Sequence, residues 1–95
     1  MATSVRDVAE QNRYEIRDGE RLLGVAEYQR DGDRVRFTHT EVDPSAGESG
    51  LGSRLVQAAL DDVRARGGSV VAQCAFVRGF ISKHPDYADL VAAEG

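Results

Sequence analysis

The sequence lacks several features that mark specialised classes of protein. Its 95 residues include two prolines, no tryptophan and a single cysteine, Cys74, which excludes a disulfide within the chain and a zinc site built from several thiolates. No apolar run comes near the roughly 20 residues that cross a bilayer, and the N-terminus has no apolar core of a signal peptide. These absences predict a cytoplasmic protein with no metal and no membrane partner.

An excess of positive charge is absent as well. Twelve Lys and Arg residues stand against 16 Asp and Glu residues, which gives a net charge of −4. Because the phosphate backbone dominates affinity for nucleic acid, proteins that bind it usually carry a basic surface, and we expect no nucleic-acid partner here. The length predicts one domain over residues 12–95, preceded by a loose lead-in at residues 1–11.

Alternation of apolar and polar residues dominates the first half of the chain. It predicts strands over residues 12–17, 22–30 and 34–42. The turns between them contain glycine and are short, so the strands should form an antiparallel meander. Beyond the third strand, Pro44 ends the alternation.

The second half of the chain changes to helical spacing. Residues 50–66 predict an amphipathic helix, and the short apolar strand Ser69–Ala72 that follows should run parallel to the third strand. Residues 75–84 predict a second helix and residues 86–93 a short terminal one. The predicted fold class is α+β: a three-stranded antiparallel meander, a crossover helix, a fourth strand parallel to the third, and C-terminal helices.

Glycine is the residue that is present in excess, at ten positions. In the stretch VDPSAGESGLGSRL, Gly47, Gly50 and Gly52 follow a strand and open a helix. The first turn of a helix has amides without internal partners and a partial positive charge, and glycine lets an anion come close. A Walker loop is excluded because Ser53 follows Gly52 where a lysine is needed. The glycines therefore either bind a phosphate or only permit a sharp turn.

Residues 37–87 resemble the small single-domain acetyltransferases of the GNAT superfamily. The resemblance rests on HTEVDP, on GESGLG before SRLVQAAL, and on C-x-F-V followed by K-H-P-x-Y, in that order. Gly50 and Gly52 match the last fixed positions of the superfamily's pyrophosphate loop, whereas Gly47 replaces the usual Gln or Arg and Glu48 a common glycine. The resemblance implies a minimal GNAT-like fold and an acetyl-CoA-dependent N-acetyltransferase that acts on a small amine or a lysine side chain.

The resemblance also implies where acetyl-CoA, the co-substrate, would bind. The pantetheine would lie between the splayed third and fourth strands, along the backbone amides from Thr40 to Val42, and the pyrophosphate would lie on residues 49–53. The alternative for Lys83 is a solvated charge that stabilises a helix end. The implied coenzyme residues are Thr40, Val42, Gly47, Glu48, Ser49, Gly50, Leu51, Gly52, Ser53, Arg54 and Lys83.

An acid–base pair on the third strand is the first candidate for chemistry. Strand alternation would place His39 and Glu41 on one face together with Val35 and Phe37. Imidazole titrates near neutral pH, and a neighbouring carboxylate orients it, so the pair could remove the proton from an acceptor amine. The alternative is a hydrogen-bonded strand histidine beside a surface carboxylate.

Cys74 is the second candidate, because it directly precedes the second helix. A thiol at that position could form an acyl-enzyme or protonate the departing thiolate. The alternative is a buried cysteine that packs as a small hydrophobic residue.

Two other functions remain open at the level of sequence. The chain could be a coenzyme A-binding module without catalysis, or a protein-interaction domain with a GNAT-like fold. In full-sized GNAT domains, additional N-terminal helices build the acceptor pocket, and residues 1–11 are too few to supply them. We therefore expect an open acceptor site for a flexible peptide, or one completed by a partner protein or by a second copy in a homodimer.

Overall fold

The computed structural model describes residues 3–46 and 50–92, which form one mixed sheet with helices. Short 3-10 helices lie at Ala9–Gln11, Pro44–Ala46 and Pro85–Leu90. The strands and α-helices are β1 (Thr3–Val8), β2 (Arg13–Asp18), β3 (Arg21–Asp31), β4 (Arg34–Val42), α1 (Leu51–Ala65), β5 (Ser69–Ala72) and α2 (Ala75–Lys83).

The strands are ordered β1-β2-β3-β4-β5 across the sheet. Strands β1 to β4 pair antiparallel, and β5 pairs parallel to β4 over Arg34–Ser69 to Phe37–Ala72. The α+β class, the antiparallel meander, the crossover helix and the parallel last strand are thereby confirmed.

The N-terminal segment differs from its prediction. The expectation of a loose lead-in is wrong for Thr3–Val8, which pairs with β2 from Thr3–Asp18 to Val8–Arg13. The carboxylate of Asp7 in this strand is nearly buried. It accepts a hydrogen bond from the Tyr28 hydroxyl and forms ion pairs with Arg30 and Arg66. The strand is therefore held by its ladder, by charge and by the apolar contacts of Val5 and Val8, and two valines three positions apart do not produce the alternation of a strand in the sequence.

The C-terminal segment is helical, as predicted, but its helix type and its bounds differ from the prediction. The predicted terminal helix over residues 86–93 is a 3-10 helix, Pro85–Leu90. It is fixed to α1 by the Arg64–Asp89 ion pair at 3.0 Å and by the Tyr87 hydroxyl, which donates to Asp61 at 2.7 Å. After it, the Ala92 amide donates to the Val70 carbonyl at 2.8 Å.

Both helices cover the same side of the sheet, which we call the helix face. There, buried side chains of α1 and α2 form one core with those of the strands, including Tyr14, Tyr28 and Phe37. The other side, which we call the open face, is covered by no helix within the described residues. Its members include Arg13, Glu15, Val25, Glu27, His39 and Glu41.

A β-bulge in β4 controls which residues reach each face. Tyr28 pairs with Phe37 and the preceding Glu27 pairs with His39, so Thr38 is an extra residue without an opposite partner. Such an insertion shifts the alternation of side chains by one position along the bulged strand.

The bulge overturns the face predicted for the acid–base pair. Residues directly opposite each other on paired strands share a face. Thr40 lies opposite the buried Ala26 on the helix face, whereas Glu41 lies opposite Val25 on the open face, as His39 does. The prediction that His39 and Glu41 share the face of the buried β4 residues is wrong, because simple alternation cannot be continued past an inserted residue.

Candidate functional site

The start of α1 supplies the described part of the predicted phosphate loop. Gly47, Glu48 and Ser49 lie outside the described residues. Gly50 adopts a left-handed conformation with φ of 81°, and α1 begins at the next residue, Leu51. The amides of the first turn have no acceptor within the helix, and that turn carries no acidic residue.

Gly52 brings the first turn of α1 against an aromatic ring. A Cβ at Gly52 would lie 2.5 Å from the Cζ atom of Phe76, which is shorter than any real contact. The ring of Phe76 therefore rests on the backbone of α1 and remains 44% exposed. Any ligand bound at this helix terminus would meet Phe76 as its neighbouring wall.

A groove of about 270 Å³ separates the start of α1 from α2. Its lining includes Ser53 on one side and Phe76, Phe80 and Lys83 on the other. A Cβ at Gly79 would meet nothing within 4 Å, so this helical glycine leaves the groove open. The structure thus brings Ser53 and Lys83, two of the predicted coenzyme residues, to one groove of a size and charge that suit part of a nucleotide.

The parallel ladder ends near the middle of β4, because β5 ends there. The Phe37 carbonyl accepts from both Gln73 N at 3.1 Å and Cys74 N at 2.9 Å, and β5 then gives way to α2. β4 continues to Val42. Cys74 therefore lies where β4 loses its parallel neighbour, and the splaying of two continuing strands stays a prediction.

Cys74 is held against the bulged part of β4. Its Sγ atom lies 3.4 Å from the Thr40 hydroxyl oxygen. Burial raises the pKa of the Cys74 thiol, but hydrogen bonds from the Thr40 hydroxyl and from the amides of Val77, Phe76 and Thr40 outweigh it, so the pKa lies below its ordinary value. A thiol with a lowered pKa is more often present as the nucleophilic thiolate.

The acid–base pair forms on the open face. His39 Nε2 lies 3.4 Å from Glu41 Oε2, and the two side chains are 56% and 72% exposed. The structure therefore brings His39 to Glu41 and Cys74 to Thr40, but these two pairs occupy opposite faces of the sheet. Only the backbone of one strand separates them, because Thr40 lies between His39 and Glu41 in the chain.

The other predicted coenzyme residues have mixed surroundings. Arg54 donates to the Thr3 hydroxyl at 2.8 Å and so reaches towards β1. Leu51 is 2% exposed, and its side chain belongs to the core. Val42 packs against the edge of the core.

Sequence reasoning overlooked three contributors to the site. Thr40 was predicted for its backbone amide, whereas its hydroxyl also contacts Cys74. Phe76 stands outside the apolar stripe of α2, and Gly79 is a glycine inside a helix. A glycine there costs about 1 kcal/mol relative to alanine, so its presence in a helix was the signal that could have drawn attention to this position.

Neither a metal cluster nor a membrane helix is found in the parts of the chain that the structure describes. Over residues 3–46 and 50–92 no group of three or more His, Cys, Asp or Glu side chains could hold a metal ion. No helix in the same ranges is long and apolar enough to span a bilayer.

Comparison with known families identifies the class to which the chain belongs. The family model of the GCN5-related N-acetyl-transferases matches residues 13–90, which include the whole of β2 to α2. The chain is a member of this family. No curated protein matches it as a sequence.

Solved structures share the fold at low sequence identity. A GCN5-like protein from Staphylococcus aureus, solved by NMR, superposes with a TM-score of 0.70 at 22% identity, over 97% of this chain and 90% of that one. The ribosomal-protein-S18-alanine N-acetyltransferase from Escherichia coli gives a TM-score of 0.63 at 18% identity. That match covers 76% of this chain and 50% of the Escherichia coli protein.

A third similar structure was solved with its ligands. N-acetylglutamate synthase from Neisseria gonorrhoeae, complexed with coenzyme A and N-acetyl-glutamate, gives a TM-score of 0.54 at 22% identity. The match covers 74% of this chain and 19% of that protein, so this chain corresponds to a small part of that larger one.

Proposed function

We propose that the protein is an acetyl-CoA-dependent N-acetyltransferase whose acceptor is a small amine or a lysine side chain. Members of the family use acetyl-CoA. The observation that carries the proposal is the end of the β4–β5 ladder at Phe37, beyond which the Cys74 sulfur lies 3.4 Å from the Thr40 hydroxyl oxygen.

The residues present fit a coenzyme on the helix face. Gly79 leaves open space beside the groove, the amides at the start of α1 suit a pyrophosphate, and Lys83 adds a cation at the far end of the groove. The backbone of β4 beyond Phe37 would hold the pantetheine in the manner of an added strand.

The transfer requires a base and a proton donor. The acceptor nitrogen attacks the thioester carbonyl carbon, a C–N bond forms, the C–S bond breaks, and the nitrogen loses a proton while the departing thiolate gains one. We assign His39, oriented by Glu41, as the base that accepts the proton from the nitrogen. The Cys74 thiol is the acid that donates a proton to the departing thiolate. In the alternative route, the Cys74 thiolate attacks first, and the amine then takes the acetyl group from an acetyl-cysteine.

A thermal-shift titration followed by thiol release tests the proposal. Acetyl-CoA at millimolar concentration should raise the Tm, because a ligand that binds only the folded state stabilises it. His39→Ala should then slow thiol release in the presence of an amine, whereas Glu20→Ala, on the exposed β2–β3 turn, should not. An unchanged Tm would refute the assignment of acetyl-CoA.

Intact-mass spectrometry separates the two routes. Protein mixed with acetyl-CoA gains one acetyl group that Cys74→Ser abolishes if the acyl-enzyme forms. The absence of an acetyl group on the wild type establishes direct transfer instead, and slower thiol release by Cys74→Ser then supports the Cys74 thiol as the proton donor.

A coenzyme A-binding module without catalysis is the second candidate. It is favoured by the exposure of His39 and Glu41 on the face opposite Cys74. In that case acetyl-CoA raises the Tm, but no amine accelerates thiol release.

A further inference from the structure

The basic residues of the chain are almost all arginines. Eleven of the 12 are arginine, and Lys83 is the only lysine among the 95 residues. A guanidinium stays protonated throughout the physiological range and does not attack acyl donors, whereas a lysine amine becomes a nucleophile once it loses its proton. The chain therefore carries one side-chain amine that an activated acyl group can modify.

That amine lies in the groove between α1 and α2. Lys83 is the last residue of α2, and it lines the groove together with Ser53 in the first turn of α1 and with the rings of Phe76 and Phe80. Among the described residues, no arginine lines this groove. The charge of the groove therefore depends strongly on the protonated amine of Lys83.

The Lys83 ammonium is accessible to a reagent. Its side chain is exposed, and within residues 3–46 and 50–92 no hydrogen bond or ion pair involves it. The arginines of α1 and its C-cap differ in this respect, because Arg64 pairs with Asp89 at 3.0 Å and Arg66 with Asp62 at 3.1 Å. Lys83 is thus both the only side-chain amine and a cation that no described carboxylate holds.

Cys74 and Lys83 stand at opposite ends of α2. Cys74 is the N-cap and Lys83 the last residue, so the helix separates them by about 13 Å along its axis. A coenzyme whose acetyl group lies at Cys74 could not bring that group to the Lys83 amine, and its nucleotide part would cover the amine instead. An acetyl group that reaches Lys83 must therefore come from solution while the groove is empty.

The modification itself is a simple acyl transfer. The unprotonated Nζ atom attacks the carbonyl carbon of a thioester or an acyl phosphate, a C–N bond forms, and the bond to sulfur or to the phosphate oxygen breaks. The leaving group takes the electron pair of that bond, and the nitrogen releases its remaining extra proton to solvent. Acetylation turns the ammonium into a neutral amide and so removes its charge.

We propose that Lys83 is a modification site, at which an activated acetyl group from solution neutralises the coenzyme groove and lowers its affinity for acetyl-CoA. The assignment rests on the proposed N-acetyltransferase function, because it takes this groove as the place of the nucleotide part. Acetylation and coenzyme binding exclude each other, since the coenzyme covers the amine, and the acetylated side chain removes a charge and fills part of a groove of about 270 Å³.

Protection by a coenzyme analogue tests the site without turnover. The full chain is treated with acetyl phosphate or with acetyl-CoA, with and without desulfo-coenzyme A, which has no thiol to acetylate, and peptide mass spectrometry follows each amine. Lys83 should gain one acetyl group, more slowly in the presence of the analogue. The faster of the two donors at equal concentration identifies the source of the acetyl group.

The N-terminal amine of the same molecules is the internal control. Its acetylation should proceed at the same rate with and without desulfo-coenzyme A, because it is not part of the groove. Acetylation of Lys83 that the analogue does not slow, or slows no more than that of the N-terminal amine, would overturn the proposal.

Calorimetric titration with desulfo-coenzyme A measures the consequence. Lys83→Gln, which is neutral like acetyl-lysine, should raise the Kd roughly tenfold, a loss of about 1.4 kcal/mol, and complete acetylation of the wild type should do the same. Lys83→Arg should bind nearly as the wild type does, before and after treatment with acetyl phosphate. Arg34→Gln, which removes an exposed charge at the start of β4, is the matched control and should leave the Kd unchanged.

The two proposals fail in different ways. If the wild type, its acetylated form and Lys83→Gln all bind desulfo-coenzyme A with the same Kd, the regulation by Lys83 is wrong and the coenzyme site stands. If none of these proteins binds the analogue and acetyl-CoA does not raise the Tm, the proposed function itself fails, and the regulation fails with it.

Discussion

The helix face and the open face are built from the same strands but satisfy their polar groups differently. On the helix face, the Tyr14 hydroxyl donates to Asp62 at 2.7 Å and the Tyr28 hydroxyl to Asp7, so that buried aromatic residues keep their hydrogen bonds inside the core. On the open face, carboxylates and guanidinium groups pair with one another along single strands. The comparison indicates that the packing of the helix face contributes most of the stability, whereas the ion pairs of the open face contribute less.

Burial also affects the ionisation of the core tyrosines. Burial, followed by the hydrogen bond to Asp7, raises the pKa of Tyr28 to about 12. The pKa of Tyr14 is raised further, by burial and then by Asp62. Both phenols therefore stay neutral donors throughout the physiological range.

The largest difference between the faces should appear when an aromatic residue is removed from the core. Phe37 is 1% exposed, with its ring centroid 6.1 Å from that of Tyr14 and 6.2 Å from that of Tyr28. Phe37→Ala should lower the free energy of unfolding by about 3–5 kcal/mol, and Val25→Ala on the open face by about 1 kcal/mol. Urea denaturation measures both.

Phe37→Leu keeps the position apolar and should lower the free energy of unfolding by less than Phe37→Ala does. It can therefore be measured even if the alanine variant does not fold. Equal losses for Phe37→Leu and Val25→Ala would contradict the assignment of stability to the helix face.

A smaller loss should follow from neutralising Asp7, the carboxylate that joins β1 to the core. Asp7→Asn should destabilise by about 2–3 kcal/mol, because Tyr28, Arg30 and Arg66 lose a charged acceptor. The exposed Asp31→Asn is the control. Spectrophotometric titration should show the pKa of Tyr28 falling from about 12 towards its ordinary value of 10.0, and an unchanged titration would contradict the contact.

The smallest effect should come from the ion pairs of the open face, and it should depend on pH. Burial raises the pKa of Glu15, but Arg17 and Arg13 lower it more, so the pKa lies below 4.5. A lowered pKa stabilises the fold above the unfolded value and ceases to do so as pH falls through the folded value. Glu15→Gln should cost about 1 kcal/mol at pH 7.

Urea denaturation from pH 7 down to pH 3 measures that dependence. The difference between the wild type and Glu15→Gln should shrink below pH 4.5, whereas Glu20→Gln on the exposed turn should change little throughout. A difference that stays constant to the lowest pH would show that the arginines do not act through charge.

The sequence was sufficient to predict those helices and strands that bury apolar side chains at regular intervals. The helix stripe from Leu55 to Val63 and the alternation within β2 and β3 each report one buried face, so the α+β fold and the parallel β5 follow from them. Strand β1 was missed because much of its support comes from Asp7 and the backbone ladder, and because its two apolar residues, Val5 and Val8, are not spaced as a strand requires.

The candidate site was predictable in composition but only partly in geometry. Cys74, His39 and Glu41 were named from the sequence, yet the Thr38 bulge decides that the last two face away from Cys74. An insertion of one residue leaves no mark in residue types, since any side chain can occupy it. Pairing with β3 reveals it, and pairing is a property of two strands rather than of one sequence.

The end of the β4–β5 ladder has a consequence for the order of binding. A continuous sheet is a partition, and groups on its two sides cannot meet unless the chain crosses it. Because β5 ends at Ala72, the second half of β4 has no neighbouring strand on that side, and the sheet has a gap there. A donor and an acceptor that approach from opposite sides would not obstruct each other, so the acceptor could enter or leave while the donor stays bound. Direct transfer in that arrangement would proceed through a complex that holds donor and acceptor together.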